Sequence, residues 1–269
     1  YIYIYIMCKG LVIPILERYE TILFINLYNL FFKHNFTLPI ELWQAGKEIS
    51  NDAYMFIEKI QKKHNIILKN VKDYTNDIDH WKGFQIKAFA IKYSEFDEII
   101  LCDCDVLFGM NPTIIFNDPN YIKYGCFFFR DWLHHKPESK DKFINRIRFI
   151  NYLLPEKNEF FPHEWDYIYT HNYNIREHTW YYLEAGTVFI NKKKHNDIIT
   201  TIFDLNNNWK ETYKYIHGDK ETFWLAFVMN KKPFYMNDTP GTNFILDKSK
   251  VHYNKSRNDV LTHTYKNKY

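Results

Sequence analysis

The residues whose types and spacing could do chemistry are Asp103 and Asp105, in the segment LCDCDVLF at 101–108. They follow an apolar run, 96–101, that predicts a buried strand, and Gly109 then predicts a break in the chain. A spacing of two places both carboxylates on one face of a strand, at its C-terminal end. Ligands of open α/β sheets bind at that edge, and oxygen ligands suit a hard divalent cation that carries a phosphorylated partner.

One simpler interpretation of this segment stays open. A D-x-D sequence is short and also arises as a loop-capping pair or a solvated strand end. Cys102 and Cys104 raise zinc as an alternative, but they point to the opposite face. Cys8 and Cys126 do not supply the second closely spaced pair that structural zinc sites show. We interpret Cys102 and Cys104 as small buried strand residues.

The elements that must position the acidic pair alternate between strands and helices. Predicted strands cover 9–14, 38–43, 66–68, 121–129 and 184–191, and predicted helices cover 19–33, 51–64, 82–93, 192–206 and 218–230. This alternation predicts an α/β fold with a mostly parallel, Rossmann-like sheet and helices on both faces. The tail from Gly241 shows no regular pattern.

Composition bounds the classes of protein that the chain could be. Its 269 residues fit one domain, 1–269, because no linker, repeat or low-complexity tract divides them. A net charge of +3, from 35 basic and 32 acidic side chains, is too balanced for a nucleic-acid surface. Aromatic residues make up 19% of the chain. Such rings serve as platforms for sugars, although a general compositional bias explains them equally well.

No apolar run of the sequence is long enough to span a membrane. The chain opens on Tyr1 rather than Met, which is compatible with an upstream anchor or signal. Such an anchor would place the domain in the lumen of the secretory pathway, in the Golgi. Without one, a cytoplasmic or viral setting stays open.

Four segments in order resemble one known family: LPIELW at 38–43, FQIKAFAIKYSEFDEIILCDCDVLF at 84–108, LEAGTVFINKKKH at 183–195 and HGDKETFWLAF at 217–227. Together they resemble the α-mannosyltransferases that build fungal mannoproteins, glycosyltransferase family seventy-one. The similarity runs from about residue 9 to residue 266, and GDKETFW is its most specific piece. The resemblance implies the GT-A fold of nucleotide-sugar transferases. The weak periodicity of the aromatic-rich region 130–182 predicts an insertion there, which we expect to form the acceptor region.

The resemblance also implies a metal site. Asp103 would lie near the nucleotide ribose and contribute to the site, and Asp105 would hold Mn²⁺ or Mg²⁺ across the diphosphate of GDP-mannose. A late histidine completes the site in many such enzymes, and His263 in LTHTYK is the predicted ligand, with His252 as its competitor. Lys266 would meet the diphosphate, or else belong to a frayed cationic tail.

Three carboxylates are candidate catalytic residues by the same resemblance. Asp219 would line the donor-sugar or acceptor pocket, and Glu221 is a further candidate, although both would also suit the start of a helix. Glu184 stands beside Gly186, which lets the backbone approach a ligand closely. Lys87 would approach the donor, with a solvated helical lysine as the alternative. The aromatic residues proposed for the acceptor surface are Trp165, Tyr167, Tyr169, Trp180 and Tyr181.

The leading hypothesis is therefore a metal-dependent, retaining transferase that moves mannose from GDP-mannose to a glycan or glycoprotein in α-linkage. Its partners would be the nucleotide sugar and the acceptor, without nucleic acid. A transferase of the same fold could instead use UDP-glucose, UDP-galactose or UDP-N-acetylglucosamine. A glycan-binding protein without turnover and a metal-dependent phosphohydrolase are the remaining alternatives. The additional acidic and histidine clusters that phosphohydrolases usually show are not evident in this sequence.

Overall fold

The computed structural model describes residues 8–16, 19–131, 140–156, 158–162, 183–240, 242–245 and 259–262. The N-terminal half alternates as predicted: β1 (Lys9–Pro14), α1 (Glu20–Tyr28), β2 (Ile40–Gln44), α2 (Asn51–Gln61), β3 (Ile66–Asn70), α3 (Ile86–Tyr93) and β4 (Glu98–Cys102). The strands pair in parallel, with Leu11 of β1 opposite both Ile40 and Ile100. The parallel sheet predicted for this half is therefore confirmed.

The C-terminal half completes the sheet. Its elements are α4 (Pro119–Tyr124), β5 (Cys126–Arg130), α5 (Lys140–Leu153), β6 (Leu183–Asn191), α6 (Asn196–Asn207), α7 (Trp209–Thr212), α8 (Thr222–Met229), β7 (Met236–Pro240), β8 (Thr242–Ile245) and β9 (Asp259–Thr262). The seven-stranded sheet has the order β3-β2-β1-β4-β6-β5-β7. Because β6 runs antiparallel to both β4 and β5, those two strands end at the same edge.

Helices cover both faces of the sheet, because alternate strand residues point to opposite sides. Val12 packs on one side, in the same core as buried residues of α3, α6 and α8. Its neighbours Leu11 and Ile13 pack on the other side with apolar residues of α1 and α2. None of the helices in the described part of the chain has the length and apolar character that crossing a bilayer requires.

Local signals explain where the helices begin. The sequence offers Ser50 or Asn51 as the cap of α2. The structure assigns the cap to Ser50, whose hydroxyl accepts the backbone N–H of Ala53 at 3.2 Å. The strand predicted over 121–129 is wrong in its first half, because α4 occupies Pro119–Tyr124. Asp118 caps that helix, and Gly125 ends it in the left-handed conformation at φ 70°.

Two further expectations about secondary structure are wrong. The tail beyond Gly241 contains the antiparallel pair β8 and β9 among its described residues, with Phe244 opposite Val260. The helix predicted over 218–230 begins only at Thr222, so that Asp219 lies in the turn before it. The region 130–182, which is predicted to be an insertion, contains α5, and its residues 132–139, 157 and 163–182 lie outside the described part of the chain.

Candidate active site

The acidic pair lies in the turn that follows β4. The strand ends at Cys102, and the backbone N–H of Val106 donates to the carbonyl oxygen of Asp103 at 3.1 Å. The two carboxylates therefore do not share a strand face, contrary to the prediction. The Asp103 side chain is 30% exposed, whereas Asp105 is exposed to solvent. The turn gives the two carboxylates different surroundings at the ligand-binding edge of the sheet.

A buried lysine holds the first of these carboxylates. Lys87 Nζ of α3 lies 2.8 Å from Oδ1 and 3.0 Å from Oδ2 of Asp103, and it donates to the carbonyl oxygen of Ala185 at 3.0 Å. Only 7% of the Lys87 side chain is exposed. The alternative of a solvated helical lysine is therefore wrong, because the sheet covers this face of α3.

The same lysine joins Asp103 to Asp219. The Asp219 carboxylate, which is buried, lies 3.3 Å from Lys87 Nζ at its Oδ2. Helix α8 begins three residues later, at Thr222, whose hydroxyl donates to the carbonyl oxygen of Asp219 at 2.6 Å. Asp103 is 16 positions and Asp219 is 132 positions from Lys87 in the sequence, yet both contact its ammonium group. We name Asp103, Lys87 and Asp219 the lysine-bridged cluster.

A second cluster lies beside the first. Lys220 Nζ is 2.8 Å from Oε2 of Glu184 and 2.9 Å from Oδ2 of Asp131. The other carboxylate oxygen of Glu184 accepts the backbone N–H of Gly186 at 2.8 Å. The sequence reasoning missed Asp131. A signal for it existed, because Asp131 follows the apolar strand β5 just as Asp103 follows β4, and both strands end at one edge.

Gly186 is the point at which the two clusters approach each other. Its carbonyl oxygen accepts the backbone N–H of Asp103 at 2.9 Å. A Cβ atom at position 186 would lie 3.0 Å from Oε1 of Glu184 and 3.9 Å from Oδ2 of Asp103. Only a residue without a side chain therefore leaves the space between these two carboxylates open.

Burial and neighbouring charges shift the pKa values of the charged groups in the two clusters in different directions. Burial by itself would lower the pKa of Lys87, but the neighbouring Asp103 and Asp219 outweigh it and raise that pKa. Burial raises the pKa of Asp103 to about 7 despite Lys87, and burial likewise raises the pKa of Asp219. Burial opposes the charge of Glu184 too, yet Lys220 lowers the pKa of that carboxyl to about 2. Of these three carboxyl groups, Glu184 is therefore the one held most firmly as an anion.

The remaining predicted residues fall elsewhere. Glu221 is fully buried and accepts a hydrogen bond from the indole N–H of Trp224. The other predicted residues lie outside the described part of the chain: His252, His263, Lys266, Trp165, Tyr167, Tyr169, Trp180 and Tyr181. Within the described part, no group of three or more His, Cys, Asp or Glu side chains could hold a metal. The oxygen atoms of Asp103 and Asp105 nevertheless suit a hard divalent cation.

Comparison with known proteins identifies the family. The model of a protein family described as "Mannosyltransferase putative" matches residues 8–258. The chain belongs to this mannosyltransferase family. The resemblance seen in the sequence segments is thereby confirmed, and the family is one of glycosyltransferases.

Curated relatives agree with this assignment. The protein named "Putative alpha-1,3-mannosyltransferase MNN12" of Candida albicans is 32% identical over 165 residues, covering 59% of this chain and 19% of that protein. Alpha-1,3-mannosyltransferase MNT3 of Saccharomyces cerevisiae is 24% identical over 255 residues, covering 87% of this chain and 40% of that protein. The chain thus spans 19% to 40% of the length of these two relatives.

Solved structures confirm the fold class. Core-mannan synthase A of Aspergillus fumigatus superposes with a TM-score of 0.55 at 9% identity, covering 85% of this chain and 71% of that one. The glycosyltransferase GlyE of Streptococcus pneumoniae superposes with a TM-score of 0.51 at 12% identity, covering 87% of this chain and 46% of that one. The mostly parallel sheet with helices on both faces is the GT-A fold.

Proposed function

We propose that the chain is a metal-dependent, retaining α-mannosyltransferase that uses GDP-mannose and a glycan or glycoprotein acceptor. The observation that carries the proposal is the lysine-bridged cluster at the carboxyl end of β4, in a chain that belongs to the mannosyltransferase family. The names of the relatives, alpha-1,3-mannosyltransferases, support the sugar. Core-mannan synthase A, solved in a form with Mn and GDP, supports the metal and the nucleotide.

The metal would bind at the acidic turn. Asp103 and Asp105 would hold Mn²⁺ or Mg²⁺, with His263 as the proposed third ligand, and imidazole beside carboxylates favours manganese. The bound cation would neutralise charge that develops on the leaving diphosphate. Lys87 keeps the Asp103 carboxylate fixed at this edge, since it contacts both of its oxygens. Lys266 is proposed to meet the diphosphate.

The sugar would lie beside Glu184 and Asp219. In the reaction, the bond between the anomeric carbon and the diphosphate oxygen breaks, and the acceptor hydroxyl oxygen bonds to that carbon. The hydroxyl proton is released as GDP departs. Positive charge develops on the sugar ring during this exchange, and fixed anionic groups stabilise it. Glu184, with its carboxylate anchored by Lys220 and by Gly186, is the group best placed for that task.

A panel of donors tests the proposal. The purified chain is incubated with Mn²⁺ and GDP-mannose, UDP-glucose, UDP-galactose or UDP-N-acetylglucosamine, in the presence of an α-mannoside acceptor, and released nucleotide is measured. We expect GDP release, with a product whose new anomeric signal is that of an α-mannoside by proton NMR. UDP release would instead assign a UDP-sugar transferase of the same fold. Binding of mannosides without release of either nucleotide would contradict catalysis.

The compartment follows from the same proposal. A transferase that extends glycans of secreted proteins would act in the lumen of the secretory pathway. Localisation of the full-length protein with a fluorescent tag, against Golgi and cytosolic markers, tests this placement. A cytosolic distribution would contradict it.

A further inference from the structure

We propose that Asp131 is a positioning residue that acts through Lys220 to fix the carboxylate of Glu184. The inference rests on the proposed function, because Glu184 is placed there beside the donor sugar. It concerns a residue that lies outside the D-x-D turn and outside the GDKETFW segment.

The first step is the isolation of Asp131 from solvent. Its side chain is 0% exposed, and its Oδ2 lies 2.9 Å from Lys220 Nζ. A side chain that solvent cannot reach does not meet a diffusing substrate. Any effect of Asp131 on catalysis must therefore pass through the groups that it contacts, and Lys220 is a charged group among them.

The second step is the geometry of Lys220. A lysine side chain has several rotatable bonds, and a single carboxylate partner leaves much of that freedom in place. Lys220 is bound from two sides, by Asp131 at 2.9 Å and by Glu184 at 2.8 Å. Two fixed partners define one position for the ammonium group. Asp131 also offsets the cost of burying that cation.

The third step is the effect on Glu184. Lys220 donates to its Oε2 and the backbone N–H of Gly186 donates to its Oε1, so that each oxygen has a donor. The carboxylate is thereby oriented next to Asp103, across the open space at Gly186. Among the described residues, the cations of Lys220 and Lys87 act on the Glu184 carboxylate, and its charge in turn acts on His217. Lys220, held by Asp131, is the one that Glu184 contacts directly.

A double-mutant cycle tests the inference. Turnover of GDP-mannose is measured for wild type, Asp131→Asn, Glu184→Gln and the double variant. For Asp131→Asn we expect kcat to fall about 10- to 100-fold, as for a misplacement of about 1 Å. Because Asp131 acts only through Glu184, adding Asp131→Asn to Glu184→Gln should change kcat by no more than about twofold. The KM for GDP-mannose should stay within about threefold of wild type, since an orienting group acts on the chemical step.

Asp97→Asn is the matched control for a buried aspartate. Asp97 precedes β4 at the opposite edge of the sheet and accepts the backbone N–H of Cys8 at 3.3 Å. The Asp97→Asn variant should leave kcat unchanged. Full additivity of Asp131→Asn and Glu184→Gln would overturn the inference, because it would show an effect of Asp131 that bypasses Glu184. Wild-type kcat in Asp131→Asn would overturn it as well.

A second measurement does not depend on turnover. Carbon-13 relaxation of the Glu184 carboxyl and its methylenes reports the order of this side chain on the picosecond to nanosecond timescale. We expect Asp131→Asn to lower that order, and Lys220→Met to lower it at least as much. Unchanged order in both variants would overturn the inference. If wild type turned over no nucleotide sugar, the proposed function would fail, and this measurement would still decide on Asp131.

Discussion

Removal of the buried cation at the centre of the site has a consequence that can be worked out from the structure. Lys87→Met keeps a long unbranched side chain but deletes the charge 2.8 Å from Asp103 and 3.3 Å from Asp219. The buried Asp219 and the partly exposed Asp103 are then left without this cation, and breaking a buried ion pair in this way costs about 3–5 kcal/mol. In a chain of 269 residues, with an unfolding entropy of about 2.1 cal/mol/K per residue, this loss lowers the unfolding midpoint by about 5–9 °C.

The size of this loss depends on pH, with a sign that the carboxyl groups determine. Burial already raises the pKa of Asp103 to about 7 and raises that of Asp219, and the loss of Lys87 raises both further. Below the pKa of an unfolded aspartate, about 3.9, both states hold their protons. As the pH rises above that value, the two aspartates ionise first in the unfolded chain. The free energy of unfolding of the variant therefore falls until the pH passes the raised pKa of these groups in the folded state. The destabilisation should be larger at pH 8 than at pH 5.

Urea unfolding followed by circular dichroism measures both effects. Lys82→Met serves as control, because Lys82 is exposed and pairs with an exposed carboxylate, Asp79. It should unfold like wild type at both pH values. Combining Lys87→Met with Asp219→Asn should recover part of the loss, since one uncompensated carboxylate is removed. A Lys87→Met variant as stable as wild type, or equally destabilised at pH 5 and pH 8, would refute this reasoning.

Two further outcomes follow from the described side chains. Gly186→Ala places a methyl group 3.0 Å from Oε1 of Glu184 and should lower kcat at least about tenfold. Gly109→Ala is the control, because its added carbon meets nothing within 4 Å, and it should leave kcat unchanged. Equal activities of the two alanine variants would contradict the role of Gly186. His195 is buried, its pKa is lowered chiefly by burial, and its Nε2 lies 2.7 Å from the carbonyl oxygen of Tyr124. The unfolded histidine gains its proton near pH 6.5, so that stability is full above that pH and falls as the pH drops through the lower folded pKa. His195→Gln should lack this acid loss in urea unfolding, and an identical loss in both proteins would show that His195 is not its source.

Much of this fold is predictable from local patterns. Alternating apolar strands and helices predict the parallel half of the sheet, and the apolar run before Asp103 predicts β4. Ser50 predicts the start of α2, because capping is a local interaction. Around 121–129, in contrast, the high strand propensity of Tyr, Ile and Phe hides the helix α4. The signals of that helix, Asp118 before a proline and Gly125 after the last turn, are also present in the sequence.

The interior of the site is less predictable, because long-range contacts build it. Lys87 belongs to a helix in which Ile86–Ile91 are all buried, so that no polar face of the helix shows whether its lysine is buried or solvated. Asp131 meets Lys220, 89 residues further along the chain. Neither pairing has a local signature. Each appears only once the sheet brings the ends of β4, β5 and β6 to a common edge.

Metal-dependent release of GDP tests the central claim most directly. Wild type, Asp105→Asn and the control Asp73→Asn, whose side chain is exposed on a short turn after β3, are incubated with GDP-mannose with and without Mn²⁺. We expect wild type and Asp73→Asn to release GDP only with the metal, and Asp105→Asn to lose at least about 100-fold in rate, on the scale of losing an electrostatic contact to the transition state. GDP release by Asp105→Asn at the wild-type rate, or release by wild type without any divalent metal, would contradict the assignment.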